Sequence, residues 1–362
     1  MKRGLCTSVL LVLTLVLVEY TVEGLAEENQ QPPAVYIFGD STVDVGTNNH
    51  LKDCRTKADS PYYGIDFDFS RPTGRFTNGH NIADLIVRHL GYKRSPPPFL
   101  SLINRMSGFQ SAILRGVNFA SGGSGIFDQT GNVTYIQVVA LGKQIQQFAT
   151  VCSNITKVLG KAKADELLSK SIFIISAGSN DIFEYSENRT VLPAIFMDKL
   201  IEAYTTQIEE LYNLGARKFA VLSVGAIGCV PKIRALNHGN CVDQVNQLAQ
   251  AFYTLVSSVL QQFSSQYTEF NYSLGNLYEV TMTTILNYLV EGYKEIRTPC
   301  CGDANTTCHF GGNLCNNRNQ YLFWDMFHPT QVASDTAARV LLFSEATELV
   351  NPNNISRLAV IP

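Results

Sequence analysis

Short apolar segments of strand composition alternate with longer amphipathic segments along most of the chain, and this alternation restricts the possible folds more than any other feature. The strand-like segments include residues 35–39, 171–178 and 217–225, which are rich in β-branched and aromatic residues. Segments 195–215 and 242–263 repeat apolar residues at helical spacing. Strands that alternate with helices of this length form right-handed βαβ units. The sequence therefore predicts an α/β fold, a three-layer α/β/α sandwich with a mostly parallel central sheet.

The same patterns place the remaining predicted elements. Residues 82–90 have helical spacing, and Gly91 is suited to end that helix. A short strand that begins at Gly116 breaks into a glycine-rich loop. A further strand is predicted over residues 268–275, and a last helix is predicted after Pro329.

The beginning of the chain has the layout of a secretory signal peptide. Two basic residues precede the apolar run 9–18, and small residues follow it up to Ala26. The run is shorter than the ~20 apolar residues that a membrane helix needs, and no later segment reaches that length. We therefore expect a signal peptide over residues 1–26 and a single secreted, extracellular domain over residues 27–362, with no integral membrane segment.

Asn-x-Ser/Thr sequons are compatible with passage through the secretory pathway. We expect most of these asparagines to lie at the surface, where glycosylation is possible. They are Asn132, Asn154, Asn188, Asn271, Asn305 and Asn354.

The cysteines predict disulfides. The chain has nine, and Cys6 lies in the expected signal peptide, which leaves eight in an oxidising compartment and predicts four bridges. Cys229 and Cys241 bracket a short segment and are the expected local pair, so that Cys54 and Cys152 remain as candidate long-range partners. The other four crowd one loop without a C-x2-C knuckle, which favours disulfides over a metal site there. They are Cys300, Cys301, Cys308 and Cys315.

Composition and missing motifs exclude several classes of function. The formal net charge is -3, with 28 basic and 31 acidic residues and no basic run, which argues against nucleic acid as a partner. The sequence has no H-E-x-x-H zinc motif, no phosphate-binding P-loop and no dinucleotide fingerprint. We therefore expect neither a metal nor another cofactor.

Four polar motifs lie at predicted junctions between strands and loops. FGDS (38–41), GVNFASGG (116–123) and AGSND (177–181) each end or follow a strand, whereas WDMFHP (324–329) lies just before the last predicted helix. Open α/β sheets place their sites at the carboxyl ends of their strands. We therefore expect these four motifs to meet at one edge of the sheet.

The residue types in these motifs suit nucleophilic catalysis. A serine hydroxyl such as that of Ser41 becomes an effective nucleophile when a neutral histidine takes its proton. Asp325 and His328 are three residues apart, so one turn can place the carboxylate on the histidine Nδ1 and leave Nε2 facing outward. The structural alternative is that these residues are helix caps and a surface histidine. The coincidence of four such motifs favours catalysis.

The motifs together resemble those of the plant GDSL esterase/lipases of the SGNH hydrolase superfamily. The likeness runs over nearly the whole mature chain, from FGDSTVDVGTNN to DMFHPTQ. It implies an SGNH hydrolase fold, which is flavodoxin-like, and a location in the apoplast or cell wall. It also implies a serine carboxylic-ester hydrolase that forms an acyl-enzyme on esters of lipids, cell-wall polysaccharides or small metabolites.

The resemblance assigns roles residue by residue. Ser41 corresponds to the nucleophile, and Asp325 and His328 complete the triad. The oxyanion donors would be the backbone N-H groups of Ser41 and Gly123 and the side-chain amide of Asn180. Gly122 remains an alternative to Gly123.

Other readings remain beside simple hydrolysis. The protein could be a trans-acylating member that passes the acyl group to an alcohol, or a non-catalytic member that binds a carbohydrate or protein. The missing G-x-S-x-G motif disfavours the common α/β-hydrolases. We expect the acyl contacts on loops 126–140 and 184–195.

Several other residues are expected to be structural, or in the case of the histidines structural or surface residues. They are the loop residues Asp44, Asn48 and Asn49, the segment Arg75, Phe76 and Asn78, and the scattered His50, His80, His89, His238 and His309.

Overall fold

A six-stranded sheet forms the centre of the computed structural model, which describes residues 32–103 and 108–362. The predicted signal peptide, residues 1–26, lies outside the described residues. The strands follow the order β2-β1-β3-β4-β5-β6, and all neighbouring strands are parallel except β5 and β6. The strands are β1 (Val35–Gly39), β2 (Gly116–Asn118), β3 (Ile172–Ser176), β4 (Lys218–Leu222), β5 (Asn271–Gly275) and β6 (Val350–Pro352).

Helices cover both faces of this sheet. The helices are α1 (Ile82–His89), α2 (Phe99–Ile103), α3 (Phe109–Ile113), α4 (Asn132–Tyr135), α5 (Leu141–Leu159), α6 (Lys161–Lys170), α7 (Ser179–Glu187), α8 (Pro193–Asn213), α9 (Pro231–Ala235), α10 (Asp243–Gln266), α11 (Leu277–Leu286), α12 (Gln331–Phe343) and α13 (Ile355–Val360). The longest, α5, α8 and α10, pack on one face, whereas α1, α12 and α13 pack on the other. This arrangement confirms the predicted three-layer α/β/α sandwich.

Each central strand contributes side chains to both hydrophobic layers. In β1, Tyr36 and Phe38 join the layer under α5, whereas Val35 and Ile37 join the layer under α1. All four side chains are fully buried. A strand covered on both faces has no solvent-facing side, which explains why its sequence is apolar throughout and does not alternate with polar residues.

Most predicted elements are present, but the structure adds helices that the sequence patterns did not predict, including α7 and α11. The last predicted helix is α12, but the chain then adds the short antiparallel strand β6 and helix α13. The expectation that α12 is the last helix is therefore wrong. Helices α5 and α6 follow each other with only Gly160 between them and were not predicted.

Three disulfides join cysteines that lie close in sequence. Cys229 pairs with Cys241, as predicted. In the loop with four cysteines, Cys300 pairs with Cys315 and Cys301 with Cys308, which leaves no thiolate there for a metal ion.

The predicted fourth bridge is wrong, because Cys54 and Cys152 are both unpaired and buried. They lie in different hydrophobic clusters. The Cys54 thiol donates to the Thr56 carbonyl over 3.2 Å. Burial raises the pKa of Cys152 to about 12, so this side chain behaves as a small apolar group.

The sequons are at the surface with one exception. Asn132, Asn188 and Asn305 are exposed, and Asn154 and Asn271 are partly buried. Asn354 is buried, and its side chain caps α13 by accepting the Arg357 N-H over 2.9 Å. The Asn354 side chain is therefore not an accessible glycosylation site. Among the described residues, no helix combines the length and apolar character needed to cross a bilayer.

The disulfide pattern predicts which cysteines matter for stability. Cys241→Ser opens a native bridge and should lower the free energy of unfolding by ~2 to 5 kcal/mol. Cys54→Ser breaks no bridge and keeps a hydroxyl that can donate to Thr56, so it should cost much less. Urea unfolding of both variants measures this difference. Peptide mapping without reduction should find Cys54 and Cys152 as free thiols, and a peptide that links these two cysteines would contradict the assignment.

Candidate active site

Loops from different parts of the chain meet at the carboxyl edge of the sheet. Ser41 follows β1, Gly123 follows β2 and Asn180 follows β3, whereas Asp325 and His328 lie just before α12. All five residues line one cavity of about 380 Å³. The expected convergence of the four motifs is therefore present in the structure.

Ser41, His328 and Asp325 form a continuous hydrogen-bonded chain. The His328 Nε2 lies 2.7 Å from the Ser41 Oγ, and its Nδ1 lies 2.8 Å from each carboxylate oxygen of Asp325. The turn is held by the backbone, because the N-H groups of Phe327 and His328 donate to Asp325 Oδ1 over 2.9 and 2.8 Å. This local turn is how a spacing of three residues brings the carboxylate to the imidazole.

The Asp325 carboxylate is buried and yet favours its charged form. Burial raises the pKa of Asp325, but the charge of His328 and the hydrogen bonds to the carboxylate lower it more, so that the pKa lies below its usual value. Only 2% of the residue is exposed. A charge this deep needs the donors that surround it.

Tyr63 supplies one of these donors, and sequence reasoning missed it. Its hydroxyl donates to Asp325 Oδ2 over 2.8 Å. Burial and the neighbouring Asp325 carboxylate raise the pKa of Tyr63 well above its usual value, so the hydroxyl keeps its proton and stays a donor. The contact joins residues 262 positions apart, and no motif around Tyr63 marks it in the sequence.

The segment around Phe76 has the structural role that was expected. The Phe76 ring packs on the His328 imidazole, with a distance of 5.0 Å between ring centroids. The Asn78 Oδ1 accepts the backbone N-H of Gln331 over 2.8 Å, at the first residue of α12. These contacts fix the side of the site that carries His328.

Backbone donors distinguish the two candidate glycines. The Gly122 N-H already donates to Asp44 Oδ2 over 2.9 Å. The N-H groups of Ser41 and Gly123 have no hydrogen-bond partner among the described residues. Gly123 has a φ of +80°, and a Cβ there would come within 2.5 Å of the Tyr135 ring, so this position requires glycine. Of the two glycines, Gly123 is therefore the one whose backbone N-H has no protein partner among the described residues.

Asn180 lies in the first turn of α7 and lines the cavity. Its Nδ2 donates one hydrogen bond to the Ser124 carbonyl over 2.9 Å, which orients the amide. The other Nδ2 hydrogen remains available to a ligand in the cavity. The next residue, Asp181, accepts the backbone N-H of Ile126 over 2.9 Å and ties α7 to the loop after β2.

The loop after Ser41 is held by buried polar side chains. Asp44 Oδ1 accepts the N-H groups of Gly46 and Thr47, each over 2.7 Å. The Asn48 amide donates to the Gly122 carbonyl over 2.8 Å. Asp44 and Asn48 thus have the expected structural role, whereas Asn49 is exposed.

A buried ion pair stabilises the loop that follows Ser41. The Arg75 guanidinium binds the Asp84 carboxylate with two contacts, 2.6 and 2.7 Å, and Asp84 also forms a capping box with Asn81 at the start of α1. The Asn81 amide in turn donates to the Asp44 carbonyl over 2.9 Å. Burial raises the pKa of Asp84, but the charge of Arg75 and several hydrogen bonds lower it more, so the net pKa is well below its usual value.

The fold is an α/β fold of the SGNH hydrolase type, and comparisons with known proteins specify the family. The sequence model of the GDSL-like lipase/acylhydrolase family matches residues 35–341. Three GDSL esterase/lipases of Arabidopsis thaliana are 36%, 34% and 35% identical to this chain. The alignments cover 89%, 90% and 90% of this chain and 92%, 91% and 87% of the relatives.

The chain belongs to the GDSL lipase/acylhydrolase family. It is a carboxylic ester hydrolase.

The buried Arg75–Asp84 pair is expected to contribute to the stability of the fold. Asp84→Asn leaves a buried guanidinium without its partner and should lower the free energy of unfolding by ~3 to 5 kcal/mol at pH 7. The pKa of Asp84 is lower in the folded protein than in the unfolded chain, where it is about 3.9. The carboxylate therefore stabilises the fold above about pH 3.9, and this stabilisation is lost as the pH falls further. The gap between wild type and variant should therefore shrink from pH 5 to about pH 3.

Urea unfolding at several pH values measures this gap. Asp165→Asn is the matched control, because Asp165 forms an exposed pair with Lys161 that should contribute only ~0 to 1 kcal/mol. An equal loss in both variants would contradict the structural role of the buried pair.

Proposed function

We propose that the protein is a secreted serine esterase that forms an acyl-enzyme on Ser41, with His328 as general base and Asp325 as its partner. The observation that carries this proposal is the chain of short contacts from the Ser41 Oγ through the imidazole to the Asp325 carboxylate. A serine hydroxyl is a poor nucleophile by itself, so a neutral imidazole at hydrogen-bond distance is the essential requirement. Secretion is supported by the layout of the N-terminal sequence and by the three disulfides.

The first half-reaction transfers the acyl group to the enzyme. The Ser41 Oγ attacks the ester carbonyl carbon while the His328 Nε2 takes the hydroxyl proton. Asp325 stabilises the imidazolium that forms, and the hydrogen bond from Tyr63 holds the carboxylate in place. The tetrahedral intermediate collapses when His328 gives its proton to the leaving alcohol, which produces the acyl-enzyme and the free alcohol.

The second half-reaction repeats these steps with water. His328 removes a proton from the water that attacks the acyl carbonyl, and it then returns a proton to the Ser41 Oγ as the carboxylic acid leaves. An alcohol in place of water would give a new ester, which is the trans-acylating alternative. The assembled Ser41–His328–Asp325 chain favours catalysis over a role in binding alone.

Negative charge on the carbonyl oxygen needs donors that are already in position. We assign this role to the N-H groups of Ser41 and Gly123 and to the Asn180 amide. The two N-H groups have no other partner among the described residues, and the amide is oriented by the Ser124 carbonyl. Such donors act most strongly on the transition state, where the charge develops.

The substrate side of the proposal covers esters of lipids, cell-wall polysaccharides or small metabolites, with the apoplast or cell wall as the place of action. The cavity is suited to a leaving alcohol of mixed character, because aromatic side chains such as Tyr135 and charged ones such as Lys57 and Glu184 line it together. His309, expected to be a structural or surface residue, is exposed and also lines the cavity.

Covalent labelling tests the nucleophile. A serine-directed phosphonate should modify Ser41, and Ser41→Ala should lose both labelling and ester hydrolysis while its unfolding curve stays close to wild type. Ser60→Ala is the matched control, because Ser60 lines the same cavity but makes no hydrogen bond to His328. Peptide mass spectrometry locates the label. Full hydrolysis by Ser41→Ala would overturn the mechanism.

Replacement of Asn180 tests the oxyanion donors. Asn180→Ala should lower kcat by about 10² to 10³ and change KM little, because the donor acts mainly on the developing charge. Asn287→Ala is the control, since this exposed amide also donates to a backbone carbonyl, that of Thr283 over 3.0 Å. Steady-state kinetics on one soluble ester separates the two parameters. A change confined to KM would assign Asn180 to substrate binding instead.

A further inference from the structure

A second pocket of about 140 Å³ adjoins the candidate active site. It lies beyond the carboxyl ends of β3 and β4, at Ser176 and Ser223, and is bounded by α11 and α12. Thr42, Ser179, Ile227 and Phe327 line both this pocket and the larger cavity, and Thr42 is the residue next to Ser41. We call this space the apolar pocket. Ser41 lines the larger cavity, and the next residue, Thr42, lines both spaces.

The lining of the apolar pocket carries no charged side chain among the described residues. Aliphatic and aromatic groups dominate it, including Leu277, Val280, Phe323 and Ala333. The larger cavity, in contrast, is lined by several acidic and basic residues. The two spaces beside Ser41 therefore differ sharply in the ligand chemistry that they suit.

Four of the hydroxyls that line the apolar pocket, those of Thr42, Ser176, Ser223 and Thr281, hydrogen-bond within the protein. The Thr42 hydroxyl donates to Asp40 Oδ1 over 2.7 Å and lies 2.9 Å from the Ser176 hydroxyl. Ser223 accepts the Leu277 N-H over 3.0 Å, and Thr281 donates to the Leu277 carbonyl over 2.7 Å. Because these hydroxyls already have partners in the protein and most of the lining is apolar, the pocket suits an aliphatic chain better than a sugar.

The volume of the pocket limits the size of its occupant. A dry protein cavity of about 150 Å³ holds one benzene molecule, which has six carbon atoms. The apolar pocket is of similar size, at about 140 Å³. An acetyl group would leave most of it empty, and a long fatty acyl chain would exceed it.

We propose that the apolar pocket binds the acyl group of the substrate and selects aliphatic acyl chains of about six to eight carbon atoms. The proposal rests on the proposed function, because the acyl carbonyl has to lie at Ser41. The leaving alcohol then occupies the larger cavity with its charged and aromatic walls. Loops 126–140 and 184–195, where acyl contacts are expected from the sequence, contribute residues to the larger cavity and none to the apolar pocket.

A series of p-nitrophenyl esters from acetate to palmitate tests the proposal, because the leaving group is constant and only the acyl chain varies. In the wild type, kcat/KM should rise about fourfold for each methylene buried. The ratio of hexanoate to acetate should therefore be on the order of 10². The values should fall again for laurate and palmitate.

Two substitutions of Val280 should move this optimum in opposite directions. Val280 lies on α11, lines the apolar pocket and is 6% exposed. Val280→Phe fills the pocket and should bring the ratio of hexanoate to acetate close to one. Val280→Ala enlarges it and should shift the optimum toward longer chains. Ratios between esters are independent of the folded fraction, and a gain on longer chains cannot arise from unfolding.

Val245→Ala is the matched control. Val245 is a buried valine on α10 that lines neither space, so its variant should keep the wild-type chain-length profile. A wild-type enzyme that hydrolyses esters with a flat profile, or Val280 variants with the wild-type profile, would overturn the acyl-pocket proposal and leave the proposed function intact. A wild-type enzyme that hydrolyses none of the esters would instead overturn the proposed function.

Discussion

The common end point of the parallel strands is the constraint on which the site depends. Gly39 in β1 is level with Ser176 in β3, which is level with Leu222 in β4 and Gly275 in β5. Four loops therefore leave the sheet at one height. At Gly39 the strands approach so closely that a Cβ would lie 1.9 Å from the Ser176 carbonyl oxygen, and the backbone has a φ of +137°. Only glycine allows β1 to end there, immediately before Asp40 and Ser41.

The site at this edge of the sheet contains a buried charge that costs free energy, and the groups bonded to that charge offset the cost. Asp325 is buried, so its charge loses the stabilisation that water would give. Two backbone N-H groups, the Tyr63 hydroxyl and the His328 ring replace that stabilisation. The same donors fix the carboxylate in one orientation. In the proposed mechanism, this rigidity is what keeps the imidazole directed at the Ser41 Oγ in the absence of substrate.

Sequence patterns predicted the parts of the structure that are encoded locally. The strand β1 and the helix α10 follow from the spacing of apolar residues, and the polar motifs follow from their position at strand ends. Tyr63 was missed because its contact with Asp325 spans 262 positions. Cys54 was paired by elimination, although nothing in its local sequence showed that it lies in a different cluster from the other candidate.

The apolar pocket escaped sequence reasoning for a related reason. Residues of α11, α12 and several loops form its walls. Each of these segments has the composition of an ordinary helix or of a hydrophobic core. A pocket is defined by the space that distant segments leave between them, and no short motif records that space. The sequence suggests the residues of the proposed reaction, since chemistry needs particular functional groups. It does not record a volume to which many apolar residues contribute.

Phe327 connects the proposed chemistry to the proposed selectivity. Its backbone N-H donates to Asp325 Oδ1 over 2.9 Å, and the residue lines both the larger cavity and the apolar pocket. Its ring also packs on Phe183, with 5.3 Å between centroids. A substitution of Phe327 would disturb both the turn that holds Asp325 and the wall of the apolar pocket. Among the described residues, none on α11 hydrogen-bonds to Asp325 or His328, so Val280 can change in size with less effect on these two residues. Within the proposed function, α11 is therefore the element through which acyl selectivity can vary at the least cost to catalysis.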